Sequence, residues 1–402
     1  MQNLSDLNVC LAVNDYGAGR VIGGPAFSQI DTTVALLAGG VQLDVVTGLA
    51  PRLPSWVSRY TNRKPVWHEL LRGQPSSDAA GSWGVVRRCA AKFRHARFLR
   101  GVRRLRPDIL WVEGFPTHRF LEGLRDWQPR HRLINIRGSP DQLSGRFMGG
   151  NHLERVLREL SLYDGFVNVS SRVAAMWQTL PALAGKRVFH LPNCAREEDA
   201  AVLRTETRAA VRQRLGLPVD RLIGVTVASV QTRKGQQIVA EAYPEISRAL
   251  PDLLLLMVGV VLEQGGGPDI VAAFGRQGAG ERVVFTGHSD RALDYLYAAD
   301  FLLLPSLEEA MPLSVLEAMA LGTPVAASTA GGIPELIEHE RHGLLFKPGS
   351  ADEVAAAVIR MGSDAAARLR WAEAAEERYH AEFCRARQFE RYRLVLEELA
   401  RS

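Results

Sequence analysis

Short, continuous apolar runs recur along this chain, separated by longer stretches of helical period. Residues 9–13, 41–46, 108–112, 133–136 and 165–169 each read as a buried strand, too short for a helix and too uniformly apolar for a half-exposed one. A helical pattern at about 26–37 separates the first two. The alternation ends near His190-Leu-Pro-Asn193. It gives way to a charged stretch at 196–208 without apolar period, then resumes at 222–227, 253–258, 283–285, 301–304 and 324–327. Strands alternating with helices imply parallel sheets covered on both faces, and the interruption implies two of them. The boundaries we expect are 1–194 for the first domain and 195–385 for the second. A segment at 386–402 follows, helical by propensity, with 389–399 as its packing part. Ligands of such sheets bind beyond the carboxyl ends of the strands.

One of these strand ends carries a concentration of polar groups. The apolar run Phe301-Leu-Leu-Leu-Pro305 is followed by Glu309-Ala-Met-Pro-Leu-Ser-Val-Leu-Glu317. A helix starting near Pro312 leaves Glu309 in the preceding loop and carries Glu317 about a turn and a half inside. Backbone N–H groups between Met311 and Ser314, Leu313 included, attract an anion there, and the flanking carboxylates can hold sugar hydroxyls. Taken alone, such a pair is more often a dipole partner and a solvated helix residue. A second joint, Arg233-Lys234-Gly235, lies between a strand and a helical stretch at 236–242, where a lysine can reach a diphosphate as a mobile charge. A third is Gly17-Ala-Gly19-Arg-Val-Ile-Gly23-Gly24. Its last glycine falls one residue late for a dinucleotide fingerprint, and Asp44 lies inside the next strand instead of at its end. The loop therefore offers N–H groups to a phosphate without being an NAD motif.

Composition narrows the function class. The chain has 402 residues, 47% of them hydrophobic, and a mean hydropathy of −0.06, enough for two globular cores. No apolar run reaches membrane-spanning length and no secretory pattern opens the chain. Cys10, Cys89, Cys194 and Cys384 are scattered without metal-ligand spacing. Together these features suggest a cytoplasmic protein with reduced, packing cysteines. The absence of H-E-x-x-H, P-loop and Asp-x-Asp motifs gives no reason to expect a metal site. The net charge of +5 is unevenly placed. Arg87, Arg88, Lys92, Arg94, Arg97, Arg100, Arg103, Arg104 and Arg106 follow one another with no acid between them. Upstream, Arg52, Arg59, Arg63, Lys64 and Arg72 alternate with Trp56, Tyr60, Trp67 and Trp83. The basic region 52–106 suits an anionic membrane surface or an acidic lipid-linked acceptor. No helix-turn-helix, zinc-finger or RNA-recognition signature accompanies it, which argues against nucleic acid.

The spacing Glu309-x7-Glu317, continued as Glu317-Ala-Met-Ala-Leu-Gly-Thr-Pro-Val325, resembles the E-x7-E element of retaining GT-B glycosyltransferases of the GT4 family, glycosyl transferases group 1. The resemblance covers nearly the whole chain, most closely at 222–350 and least in the basic region. It implies an α/β GT-B fold, with two Rossmann-like, doubly wound domains facing a central cleft. The first would bind the acceptor and the second the nucleotide sugar, with the C-terminal helix crossing back to the first. It further implies transfer of a hexose, with retention, from a UDP- or GDP-hexose to a glycan or lipid-linked acceptor. Such an enzyme would serve cell-surface polysaccharide or glycolipid synthesis from the inner face of the membrane, with no bound cofactor and no metal.

Carried over position by position, Lys234 neutralises the departing diphosphate, with Arg233 as a substitute for a second cation. Glu309 positions the hexose and Glu317 the ribose. Gly23, Gly24, Gly259, Met311, Leu313, Ser314 and the main chain of His288 contact the donor. Two positions depart from the family pattern. Ser229 stands where Gly-Arg-Leu-x-x-x-Lys-Gly places an arginine, and Arg137 stands at a strand end where histidine is common. Arg137 and His118 are candidates for the acceptor or sugar side. The alternatives are a GT-B nucleotide-sugar epimerase and a non-catalytic nucleotide-sugar-binding protein.

Overall fold

A computed structural model of the chain describes residues 3–13, 24–47, 55–69, 100–113, 128–143 and 153–402. They divide into two compact units, Met1–Leu191 with Gln388–Ser402, and Pro192–Arg387. In the first, β1 (Asn8–Val13), β2 (Gln42–Thr47), β3 (Val66–Glu69), β4 (Ile109–Glu113), β5 (His131–Asn135), β6 (Gly165–Asn168) and β7 (Arg187–His190) form one sheet in the order β3-β2-β1-β4-β5-β6-β7. Each neighbouring pair is parallel. In the second, β8 (Ile223–Val227), β9 (Leu254–Val258), β10 (Val283–Gly287), β11 (Phe301–Leu304), β12 (Val325–Ser328) and β13 (Leu344–Phe346) run in the order β10-β9-β8-β11-β12-β13. These strands too are all parallel. Two doubly wound α/β units are the fold class read from the sequence.

The central strands are apolar without alternation because helices cover both faces of a parallel sheet. Every residue of β4, β9 and β11 is buried. The strands absent from the apolar pattern, β3, β7 and β13, are sheet edges. A margin strand needs no continuous apolar run, and Val66 in β3 is indeed exposed.

The C-terminal helix, Arg385–Arg401, closes the first unit's core. Tyr392, Val395, Leu396 and Leu399 pack among Leu11, Val34, Leu37 and Trp111. The Tyr392 ring stacks on Trp111 with centroids 5.7 Å apart. His131, at the start of β5, places Nε2 2.9 Å from the Leu399 carbonyl. Of the basic region, only 55–69 and 100–106 fall within the described residues; Arg87, Arg88, Lys92, Arg94, Arg97 and Trp83 lie outside them. Its described aromatics face inward, Tyr60 edge-on to Phe389 at 5.0 Å and Trp67 against the core.

The charged stretch 196–208 is no loose connector. It folds as the helix Glu197–Leu203 and the start of Arg208–Leu215, with Ala200 and Leu203 buried. Its polarity hides structural arginines. Arg208 donates to the carbonyls of Tyr297, Ala299 and Gly322. Arg212, just beyond and buried, donates to the Ala298 carbonyl at 2.8 Å and to Asp300 at 2.9 Å. Arginine suits this role because its planar fork reaches several oxygens at once.

Because Leu396 is fully buried, Leu396→Ala should cost about 2–5 kcal/mol. Denaturant unfolding read by near-UV circular dichroism should show this loss in a transition assigned to the first unit. A cost below about 1 kcal/mol would mean that the helix is not part of that core.

Candidate active site

In the second unit the strand order reverses between β8 and β11. Crossovers leave these two neighbours in opposite directions, so the loops beyond their carboxyl ends part and leave room for a ligand. Those loops, 228–235 and 305–312, carry the basic and acidic groups singled out in the sequence. They are locked together through the backbone. Gly235 has φ 73°, and a Cβ there would lie 1.9 Å from the Pro305 carbonyl oxygen. The Leu307 N–H donates to the Arg233 carbonyl at 2.9 Å. On the other side, a Cβ on Gly331 (φ 50°) would lie 1.6 Å from the Glu309 carbonyl oxygen. The next N–H, of Gly332, donates to the Ala310 carbonyl at 3.0 Å. Only glycine permits either approach.

Two consecutive bases meet two consecutive acids across this junction. Lys234 Nζ is 2.5 Å from Glu309 Oε1, which also accepts from the Ser306 hydroxyl at 2.9 Å. Arg233 Nη1 donates to Glu308 Oε2 at 3.1 Å. The Lys234 and Glu309 side chains are only 14% and 7% exposed. Contrast Arg341–Glu338, at 68% and 57%. Exposed pairs of that kind contribute about 0–1 kcal/mol, whereas breaking a buried pair costs about 3–5 kcal/mol. Lysine has three donors, and Glu309 Oε2 accepts from no described residue, so both groups keep capacity for a ligand.

The helix after β11 runs Leu313–Ala320, with Pro312 as an N-cap that makes no side-chain hydrogen bond. Among the described residues no side chain caps the first-turn N–H groups of Leu313 and Ser314, and the positive end of the helix points at the junction. Met311 is buried, and its carbonyl accepts from Asn193 Nδ2 at 3.0 Å. Glu317, also buried, has its Oε1 2.8 Å from Arg196 Nε.

At the far side of the same sheet edge, the Gly259 N–H donates to the Gly287 carbonyl at 3.0 Å, joining the ends of β9 and β10. His288 follows β10; its exposed ring places Nε2 3.1 Å from Asp290 Oδ1. Ser229, the departure from the family arginine, accepts from Gln231 Nε2 at 2.6 Å and brings no charge.

In the first unit, Gly24 opens the helix Gly24–Ala38, while Gly17, Gly19, Gly23 and His118 lie outside the described residues. Arg137 is described, two residues past β5. Its Nε and Nη2 lie 3.1 and 3.0 Å from Glu113 Oε2, and Nη2 also donates to Thr32 Oγ1 at 3.0 Å. Glu113 additionally accepts from Trp111 Nε1 and Asn135 Nδ2. Burial, the largest single influence, would lower the Arg137 pKa, but Glu113, Tyr392 and Asp31 together outweigh it and hold the guanidinium above its ordinary value. Burial, with Asp44 adding to it, pushes the Cys10 thiol far above the usual range, consistent with a packing cysteine.

Glu308 and Arg196 were not singled out in the sequence. The doubling of acids at 308–309, matching the doubled bases at 233–234, is a local signal that points to the first. Arg196 lies 121 residues from its partner, inside a charged stretch without apolar period, and no spacing rule reaches that far.

Comparison with known proteins shows what this region is similar to. Residues 207–378, all within the second unit, match the family described as Glycosyl transferases group 1. The chain is 36% identical over 155 residues to the putative teichuronic acid biosynthesis glycosyltransferase TuaC of Bacillus subtilis (strain 168), covering 39% of this chain and 36% of that one. It is 33% identical over 187 residues to 2-deoxystreptamine glucosyltransferase of Streptomyces kanamyceticus, covering 46% and 47%. The chain thus spans between about a third and a half of the length of these relatives. Among solved structures, sucrose-phosphate synthase from Thermosynechococcus elongatus superposes with a TM-score of 0.73 at 22% identity, covering 98% of both chains. HepE of Anabaena in complex with UDP-glucose gives 0.72 at 18%, covering 98% of this chain and 100% of that one. At such identities the likeness is one of fold, and it is the two-sheet GT-B architecture expected from the motifs.

Removing one partner of the buried pair isolates its electrostatic weight. Lys234→Ala strands the Glu309 carboxylate and should cost about 3–5 kcal/mol. Adding Glu309→Gln to that variant should recover more than half, as measured by equilibrium urea unfolding. Purely additive losses would show that the two side chains do not interact.

Proposed function

We propose that the chain is a retaining glycosyltransferase. It moves a hexose from a nucleotide diphosphate sugar to a glycan or lipid-linked acceptor, in the synthesis of a cell-surface polysaccharide or glycolipid. The observation that carries this reading is the Lys234–Glu309 pair, set at the reversal of strand order beside an uncapped helix start. A diphosphate needs donors and positive charge, a sugar needs acceptors, and here the two lie 2.5 Å apart on loops that cannot slide.

Within the proposal, the first-turn N–H groups of Leu313 and Ser314 and the spare protons of Lys234 receive the diphosphate. Glu309 accepts hexose hydroxyls through Oε2, and Glu317 takes the ribose. The bond between the anomeric carbon and the β-phosphate oxygen breaks as the acceptor oxygen bonds the same face of the sugar. The acceptor proton passes to the departing phosphate, so no strong protein base is required. Arg233, tied to Glu308, adds field without direct contact. The first unit is assigned the acceptor, with Arg137 and His118 as its candidate contacts.

UDP is a reasonable first donor nucleotide, since HepE was solved with UDP-glucose, and GDP is the second. TuaC, named for teichuronic acid biosynthesis, supports a cell-surface product. No described helix is long and apolar enough to cross a membrane. The basic region 52–106 supports peripheral attachment to an anionic inner face.

A thermal-shift screen of UDP-, GDP- and ADP-hexoses should find one that raises Tm, a donor at 100 times its Kd adding about 2.7 kcal/mol. With that donor and native membranes as acceptor source, the wild type should move label into the lipid or glycan fraction. Lys234→Ala, assayed below its own melting temperature, should turn over roughly 10²–10³-fold more slowly while still binding donor. Nucleotide release without any acceptor would favour the epimerase, and a shift without turnover the non-catalytic binder. Undiminished turnover in Lys234→Ala would remove the lysine from the mechanism.

A further inference from the structure

The proposed ribose contact, Glu317, does not stand alone. It is buried on the helix Leu313–Ala320, and Arg196 Nε lies 2.8 Å from its Oε1. We infer that Arg196 is a positioning residue for ribose recognition: it fixes the direction of the Glu317 carboxylate and cancels its charge, while never touching the nucleotide itself. The inference rests on the reading of Glu317 as the ribose acceptor and adds to it the group that makes that acceptor usable.

Three observations support the assignment. First, a buried carboxylate without a cation tends to take up a proton, and a protonated acid is a poorer acceptor for two vicinal hydroxyls. A charge-assisted bond to one oxygen offsets the carboxylate's charge and holds its rotamer. Second, an uncompensated anion beside a diphosphate would repel it, so Glu317 needs its charge offset locally if donor is to bind. Third, Arg196 is itself anchored. Just after it, Glu197 accepts from the Tyr379 hydroxyl at 2.7 Å and the Arg385 N–H at 2.8 Å. Glu198 is paired with the fully buried Arg385 at 3.1 Å. The Ala195 N–H donates to the Tyr379 hydroxyl at 3.2 Å. Three residues before Arg196, Asn193 holds the Met311 carbonyl. The segment 193–198 therefore grips both ends of the stretch from Met311 to Glu317, and its own backbone is pinned by the residues that close the second unit.

The test is titration calorimetry of the full chain with UDP and with 2′-deoxy-UDP, or the matching pair for whichever base the donor screen selects. Wild type should prefer the ribonucleotide by about tenfold or more, the weight of a hydrogen bond to a charged group. Arg196→Ala should compress that preference to under about threefold, and Arg196→Lys should keep most of it. If Arg196→Ala does not fold, Arg196→Gln serves instead. Equal weakening of both nucleotides, with the preference intact, would overturn the positioning role. Glu317→Gln separates the two ideas. If it loses the preference while the Arg196 variants keep it, the ribose reading stands and this inference falls. No preference in the wild type removes the ribose reading, and this inference with it.

Discussion

The carbonyl oxygen of Pro305 lies where a Cβ on residue 235 would have to go, and the second unit's chemistry depends on that contact. Because residue 235 is glycine, the loop leaving β8 can lie on the loop leaving β11 at backbone distance. Leu307 then bonds to the carbonyl of Arg233, and the registers of the two loops are fixed relative to one another. Arg233 faces Glu308 and Lys234 faces Glu309 as a consequence. Gly331 repeats the device from the loop after β12, pressed against the Glu309 carbonyl. A methyl group at either position would separate the loops by more than a hydrogen bond can span, and every side-chain distance in the site would change with them.

Charge matching is the second feature of the arrangement. Glu308, Glu309 and Glu317 are all buried and each has its own cation. The junction therefore gathers three acids without becoming a net anion. Attraction for a diphosphate does not then rest on excess positive charge. It rests on donors with unused capacity, the lysine ammonium and the first-turn N–H groups, held in a place already dry enough for them to count. Matching also limits what may bind. A ligand with phosphate alone leaves the carboxylates' remaining lone pairs without donors, while one with phosphate and hydroxyls satisfies both sets.

How much of this could be read from the chain depends on the range of the interaction. The central strands were legible because burial on both faces leaves an uninterrupted apolar run. The edge strands β3, β7 and β13 were not, because a margin does not need one. Glu309, Glu317 and Lys234 were legible as a local motif beside a strand end. Their partners were less so. Lys234 and Glu309 are 75 residues apart, and only the fold shows that one holds the other. The helices inside the charged stretch 196–208 were hidden for a related reason. Its arginines Arg204 and Arg208 serve carbonyls far along the chain, and composition alone shows only their charge.

Arg137 shows how such a partner changes a functional argument. An arginine at a strand end where the resemblance leads one to expect histidine invites the idea of an acidic acceptor. Glu113, however, ends the neighbouring strand with its side chain wholly buried, and a carboxylate in that position demands a cation. Arg137 supplies it, Trp111 and Asn135 complete its hydrogen bonds, and Tyr392 of the C-terminal helix joins through Thr32. The identity of residue 137 is thus accounted for by charge balance inside the first unit. It carries no independent information about the acceptor's charge, and an acidic acceptor has to be argued from the basic region instead. The two departures from the family pattern are therefore unlike in kind. At 229 the expected charge is absent and a glutamine bond stands in its place, whereas at 137 a charge is gained and answered within hydrogen-bond distance.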